Sequence, residues 1–164
     1  MSTNNKNPAE KRGNPTSVSM RVREIVDIAQ STSGFKLHPP PKETDNKLVA
    51  KVNAPAVEYE HIGEDLFVSL SLSFTGFLRS DIDESAEHPL IDIHAVFILH
   101  YLLDNDTPVD PVDLEAFAEI NGLFNATPFW REYILDSLSR SKMPAYYLSP
   151  FNVAKILEQR NSEI

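Results

Sequence analysis

The sequence has no cysteine and only five glycines in 164 residues. Without cysteine the chain has no disulfides, no thiolate metal sites and no cysteine nucleophile. Among the few glycines there is no dinucleotide-binding fingerprint, no phosphate-binding loop and no Gly-x-Ser-x-Gly nucleophile elbow. The motif search gives an enzyme no positive support, and we predict a non-catalytic protein without a cofactor.

Basic residues are also scarce, with 15 Lys and Arg against 24 Asp and Glu, a net charge of -9 and a pI near 4.9. Binding to a phosphate backbone requires clustered Lys and Arg, so we expect no nucleic-acid partner. No apolar run reaches the roughly 18 to 20 residues that span a bilayer, and the first residues lack the apolar core of a secretory signal. We therefore expect a cytoplasmic protein that does not insert into membranes.

What the chain does contain is enough apolar sequence for one folded domain. Hydrophobic residues make up 41% of the sequence, close to the globular norm. Residues 1–16 hold almost no apolar side chains, so ordering them would cost entropy that no burial offsets. We predict a flexible N-terminal tail over residues 1–16 and a single domain over residues 17–164.

Three stretches predict strands. Within Phe67–Phe77, the apolar residues Val68, Leu70, Leu72 and Phe74 alternate with Ser69, Ser71, Ser73 and Thr75, which is typical of a strand with one buried face. The segments Leu48–Val52 and Ala56–Ile62 are separated by a proline, which indicates a kinked strand, and a Gly-containing hairpin turn follows. Leu90–Leu103 is apolar almost throughout, and we predict a long central strand buried on both faces.

The remaining periodic segments predict helices. Val18, Val22, Ile25, Val26 and Ala29 recur at helical spacing, although a strand over part of this stretch stays open. A second helix begins at the Asp110-Pro111 cap, kinks or restarts at the Asn125–Pro128 segment, and continues to Arg140. Its predicted inward side chains are Leu114, Phe117, Ala118, Ile120, Phe124, Trp130, Tyr133, Ile134, Ser137 and Leu138. Strands followed by helices predict an α+β domain, with an antiparallel sheet and helices on one face.

Residues that could carry catalysis or bind a metal are poorly arranged. His94 and His100 would lie on the same face of one strand but about 20 Å apart, too far to share a metal. The acidic turn around Asp83, with His88 nearby, would suit a hydrolase, but a solvated loop is the simpler interpretation. We predict no metal site.

The apolar and aromatic residues near the C-terminus are the candidate binding site. A short amphipathic helix is expected after Asn152 and an extended aromatic segment before it. These residues either cover the core or border an apolar groove for an extended peptide. The predicted groove residues are Tyr146, Tyr147, Phe151, Val153, Ile156 and Leu157.

The segment that contains the second helix resembles a known family. Phe117–Ile134 reads FAEINGLFNATPFWREYI, and Leu138–Val153 reads LSRSKMPAYYLSPFNV. With its proline, aromatic and Arg-Glu pair, here Pro128, Trp130 and Arg131-Glu132, this pattern is similar to the helical signature of the SecB family of holdase chaperones. The order of the predicted strands agrees with the four-stranded antiparallel sheet of that family.

The resemblance implies an ATP-independent chaperone that holds unfolded client polypeptides in hydrophobic grooves and assembles as a homotetramer, a dimer of dimers. It implies neither ATP nor a metal. It places Phe35, Leu37, Val153, Ile156 and Leu157 in the client groove. Members that deliver precursors to the SecA motor use acidic residues on the exposed sheet face, which would correspond here to a contact around Leu90 and Asp92.

The chain also departs from that pattern, since acidic residues are absent around Thr32–Lys36 and the N-terminal tail is long. Delivery to SecA is therefore less well supported than the holding of a client, and some SecB-like chaperones serve a dedicated client, the antitoxin of a toxin–antitoxin pair. The alternatives from the sequence are a holdase for exported precursors, a holdase for an antitoxin, and an oligomeric adaptor or structural module that binds a folded partner.

Overall fold

The protein is an α+β domain in which helices cover one face of an antiparallel sheet. The computed structural model describes residues 13–39, 46–53, 55–80, 87–104 and 107–141. In chain order the elements are α1 (Pro15–Ser19), β1 (Val22–Leu37), β2 (Asn46–Val52), β3 (Ala56–Ile62), β4 (Asp65–Ser80), β5 (Glu87–Leu103), α2 (Pro111–Phe117), a π-helical segment (Ala118–Gly122) and α3 (Leu123–Arg140). The predicted fold class is confirmed.

The sheet runs β1-β5-β4, and both β2 and β3 pair with the far edge of β4. β2 pairs with the second half of β4 and β3 with the first half, so the two form one edge that is interrupted before Pro55. The sheet therefore has five strands, because the kinked strand that the sequence predicted is present as two separate strands, β2 and β3. At the predicted hairpin, Gly63 has a φ of 63°, which glycine adopts without steric cost, and β3 turns directly into β4.

Alternation along β4 and β5 separates the two faces of the sheet. The helix face of these strands holds the buried core, which comprises Leu66, Val68, Leu70, Leu72 and Phe74 from β4 and Ile91, Ile93, Ala95, Phe97, Leu99, Tyr101 and Leu103 from β5. The open face, which no described helix covers, holds the intervening, more exposed residues such as Thr75, Asp92 and His100. The prediction that β5 is buried on both faces was wrong, because the helices cover only one of them.

The predicted helix over residues 18–30 was also wrong for most of its length. Only Pro15–Ser19 is helical, whereas Val22–Leu37 is an edge strand paired with β5. The register of this pair shifts at three points, between Val22 and Glu24, Ile25 and Asp27, and Gln30 and Thr32. Each irregularity inserts a residue and breaks the two-residue alternation, and the apolar side chains then recur at a spacing that resembles a helix.

The helices differ from the prediction in the position of their irregularity. The sequence predicted a kink or restart at Asn125–Pro128, but Pro128 lies within α3 without ending it, and the irregular turn is the π-helical segment Ala118–Gly122. A π turn holds an extra residue and rotates the following helix about its axis. Ile120 and Phe124 were therefore wrongly predicted to face inward and are 39% and 69% exposed. None of the helices in the described residues is long and apolar enough to cross a membrane.

The segment before β1 closes one end of the core. Val18 on α1 is fully buried in the core cluster. The first turn of α2 holds this segment, since the Asp113 carboxylate accepts hydrogen bonds from the backbone N–H of Asn14 at 2.7 Å and from the Ser17 hydroxyl at 2.6 Å. Asp110 accepts from the Val112 N–H at 3.0 Å and caps α2, as the sequence predicted.

Candidate functional site

Edge strand β1 exposes large apolar side chains towards both of its ends. Ile25, Val26, Phe35 and Leu37 are 44%, 45%, 43% and 51% exposed. Within the described ranges β5 is the only strand that pairs with β1, so the outer edge of β1 is open there. An exposed apolar strand edge is unfavourable in a lone monomer and indicates a surface that binds other polypeptide.

A cavity of about 240 Å³ lies between β1 and α3 on the helix face. Its apolar lining comes from Ile28 on β1, Phe97 on β5, and Phe129 and Tyr133 one turn apart on α3. Gln30, Glu132 and Asp136 complete the lining with polar atoms. The cavity thus combines an apolar surface with two carboxylates from α3.

The exposed end of β1 lies on the same face as this cavity. Residues opposite one another in an antiparallel pair share a face, and Phe35 pairs with the buried Ile93 while Leu37 pairs with the buried Ile91. Ile28 pairs in the same way with the buried Leu99. Ile28, Phe35 and Leu37 therefore lie on the helix face of β1, with the polar residues Gln30 and Ser33 between the first two. We call these three apolar residues together with the cavity the β1 groove.

The α3 carboxylates in the groove differ in their partners. Asp136 forms an ion pair of 2.8 Å with Arg140 one turn later on the exposed surface. Glu132 makes no ion pair with any described residue. The groove can therefore bind apolar side chains along β1 and adjacent polar or basic groups along α3.

Only part of the binding site that was predicted from the sequence lies among the described residues. Phe35 and Leu37 lie in the β1 groove, as stated above. Tyr146, Tyr147, Phe151, Val153, Ile156 and Leu157 lie outside the described residues, so their predicted role stays a prediction. Leu90 is 9% exposed, and the Asp92 carboxylate on the open face is hydrogen-bonded to His38 and Thr75.

Sequence reasoning missed the residues that form the cavity itself. The face of Ile28 was not predictable because the register shifts of β1 break its alternation, whereas Phe97 lies in β5, which is apolar almost throughout and gives no signal for one residue over its neighbours. Phe129 and Tyr133 are separated by four residues and carried a usable signal, since such a pair shares one helix face. Tyr133 also stacks on the buried Trp130, with ring centroids 6.1 Å apart, which fixes its position at the groove.

Two further cavities differ from this one in most of their lining residues, although the second also includes Glu132 and Asp136. One of about 430 Å³ on the open face is lined by Glu58, Tyr59, Glu60, Phe67, Ser69 and Ile98. The other, of about 550 Å³, lies on the outer side of α3 and is lined by Thr127, Pro128, Arg131, Glu132, Leu135 and Asp136. No group of three or more metal-ligating side chains occurs among the residues that the structure describes.

Comparison with known proteins relates this architecture to one fold. No protein-family model matches the chain. No curated protein sequence matches it. The structure is similar to that of the Mycobacterium tuberculosis Rv1957 SecB-like chaperone in complex with a ChAD peptide from the Rv1956 HigA1 antitoxin, with a TM-score of 0.68 and 18% sequence identity over 82% of this chain and 93% of that chain. The five-stranded antiparallel sheet with its C-terminal helix is therefore a SecB-like fold.

Proposed function

We propose that the protein is an ATP-independent holdase chaperone that binds an unfolded client polypeptide in the β1 groove. The observation that carries the proposal is that the exposed Phe35 and Leu37 lie on the same face of β1 as Ile28, which lines the α3 cavity. A site of this kind binds extended, apolar polypeptide and requires no catalytic group. The shared fold supports the same conclusion, since the M. tuberculosis protein is a SecB-like chaperone in complex with an antitoxin peptide.

We further propose a dedicated client, such as an antitoxin, in preference to exported precursors delivered to SecA. The comparison supports this choice, because the similar structure contains an antitoxin peptide. The engagement of Asp92 by His38 and Thr75 also leaves this carboxylate less available for the translocase contact that the sequence suggested. The C-terminal residues Tyr146 to Leu157 remain part of the proposed groove, and a cytoplasmic location is part of the same proposal.

Assembly as a homotetramer is a related proposal. The outer side of α3 exposes Phe124 and Leu135, which are 69% and 45% exposed, beside the cavity of about 550 Å³. Together with the open edge of β1, this gives the monomer two separate apolar surfaces of the kind that subunits bury. Light scattering after size-exclusion chromatography measures the mass of the assembly, and substitution of Phe124→Asp is expected to reduce it.

The binding test uses a reduced, carboxymethylated polypeptide that stays unfolded, and the same polypeptide in its native, folded form. We expect the chaperone to bind the unfolded form and not the folded one. The double variant Phe35→Ser/Leu37→Ser should bind the unfolded form about 30-fold more weakly, because each half-exposed side chain contributes about 1 kcal/mol when a client covers it. Fluorescence anisotropy of the labelled polypeptide measures the dissociation constant.

The variant Ile62→Ser is the matched control. Ile62 is 58% exposed at the β3–β4 turn, outside the groove, so its replacement should leave client binding unchanged. Equal binding by the wild type and by Phe35→Ser/Leu37→Ser would exclude the β1 groove as the client site. Preference for the folded polypeptide would instead identify the protein as an adaptor.

A further inference from the structure

His38, the residue directly after β1, forms a hydrogen-bonded network with two other strands on the open face. Its backbone N–H donates to the carbonyl of Leu90 at 2.8 Å, which extends the pairing of β1 with β5 by one residue. Its Nε2 lies 2.6 Å from Oδ2 of Asp92, and the Thr75 hydroxyl donates to Oδ1 of Asp92 at 2.9 Å. Both oxygens of the Asp92 carboxylate are therefore engaged, and the end of β1 is tied to β5 and β4.

The charges around this network favour the ionised carboxylate. Lys51, Thr75, Asp92 and Lys36 lie opposite one another in one row across β2, β4, β5 and β1. Burial raises the pKa of Asp92, but the hydrogen bonds from His38 and Thr75, together with the charges of His38 and Lys36, outweigh this effect and hold the pKa below its usual value. The carboxylate is charged at neutral pH, and its stabilising contribution is lost only when the pH falls through that lowered pKa.

The network lies directly behind the exposed end of the β1 groove. Lys36 pairs with Asp92 on the open face, while its neighbours Phe35 and Leu37 pair with Ile93 and Ile91 on the helix face. Among the described residues β1 has only one neighbouring strand, so few other contacts fix its end. A clamp on one face of this strand end therefore determines where the side chains on the other face lie.

We propose that His38 is a positioning residue for client binding, and that the His38–Asp92–Thr75 network holds Phe35 and Leu37 in the geometry that the client requires. The inference rests on the proposed holdase function and adds a residue that positions its groove. His38 does not line the groove itself, and it acts through the hydrogen bond that ties the end of β1 to Asp92. Client affinity therefore depends on His38 although the client does not contact it.

A second histidine–carboxylate pair provides the matched control. His100 Nε2 lies 2.6 Å from Asp65 Oδ1, and the His100 side chain is 23% exposed, against 22% for His38. His100 lies on the same face of the sheet, opposite Asp27, ten residues along β1 from Leu37 and hence roughly 30 Å away. His94, on the same face of β5 as Asp92, and Lys36 and Lys51 in the same row as Asp92 are retained in all variants.

The experiment measures binding of the labelled carboxymethylated polypeptide by the wild type, His38→Ala, His38→Gln, Asp92→Asn and His100→Ala at pH 7. We expect His38→Ala and Asp92→Asn to bind about five- to tenfold more weakly than the wild type, and His100→Ala to bind like the wild type. His38→Gln retains a hydrogen-bond donor for Asp92 and should restore binding to within about twofold of the wild type.

The outcomes separate the network from the function on which it depends. If the wild type binds the probe but His38→Gln binds as weakly as His38→Ala, or His38→Ala and His100→Ala are weakened equally, the positioning role of His38 is overturned and the holdase function stands. A wild type that does not bind the unfolded probe overturns both. Thermal unfolding of each variant verifies that the compared proteins are folded, which the partial exposure of both histidines favours.

Discussion

Substitution of Gly122→Ala tests the packing of the π-helical segment on the sheet. A Cβ added to Gly122 would lie 2.8 Å from Cγ1 of Val68, whereas two carbon atoms in contact prefer about 3.5 to 4.0 Å. Val68 is fully buried in the middle of β4 and is β-branched, so its side chain has little freedom to move away. The backbone of Gly122, with φ -58° and ψ -52°, accepts alanine, so any destabilisation arises from the contact and not from backbone strain.

We expect Gly122→Ala to lower the free energy of unfolding by about 1 to 2 kcal/mol. Overpacking of a core contact costs about 1 to 3 kcal/mol, and the higher helix propensity of alanine returns up to about 1 kcal/mol. For a chain of this length the melting temperature should fall by about 4 °C, measured by circular dichroism at a fixed protein concentration. In a Val68→Ala background, which removes the opposing methyl group, the loss caused by Gly122→Ala should be smaller by about 1 kcal/mol.

Gly34→Ala is the matched control, because its added Cβ would lie 2.7 Å from Cε1 of His94. His94 is exposed and can rotate away, and alanine in a strand is favoured over glycine by roughly 0.5 to 1 kcal/mol. The stability of Gly34→Ala should therefore equal or exceed that of the wild type. If Gly122→Ala were as stable as Gly34→Ala, or if its effect were the same in the Val68→Ala background, the reasoning would be refuted.

Two further predictions concern the N-terminal segment and the core tyrosine. Asp113→Ala removes the acceptor of Ser17 and should speed tryptic cleavage after Arg21 by about tenfold, as measured by mass spectrometry, because the local opening becomes about 1.4 kcal/mol less costly. Burial raises the pKa of Tyr101 above 10.0, only partly offset by the hydrogen bond from Asn125, so the stability should fall as the pH rises from 10.0 through that raised pKa. Chemical denaturation at increasing pH measures this loss, which Tyr101→Phe should abolish.

The comparison of β4 with β1 shows when the alternation of apolar residues is sufficient to predict a strand. β4 has seven residues paired with β3, another seven paired with β2, and a continuous register with β5 up to Gly76, so its alternation was visible in the sequence. β1 has the same length but three register shifts, and its apolar residues therefore fell at helical spacing. The turn at Gly63 and the cap at Asp110 were predicted correctly because each depends on a few adjacent residues.

The candidate site was predictable only in part, for a related reason. Phe35 and Leu37 were named through the family resemblance, and the register of β1 places them on the helix face. The cavity farther along β1 unites Ile28, Phe97 and Phe129, which come from three elements, and no local pattern in the sequence relates such residues. The partner of Asp92 was equally inaccessible, since His38 is 54 residues away in the chain.

By itself the sequence determined the fold class, the position of the long strands and the segment that resembles SecB, because these depend on composition, on alternation and on a run of adjacent residues. Only the tertiary structure decided that residues 22–37 form an edge strand, that Ile120 and Phe124 face outward, and that His38 bonds to Asp92. The physical reason is the same in each case. A β-bulge, a π turn and a contact between distant strands are set by what the chain packs against, and local periodicity does not encode that partner.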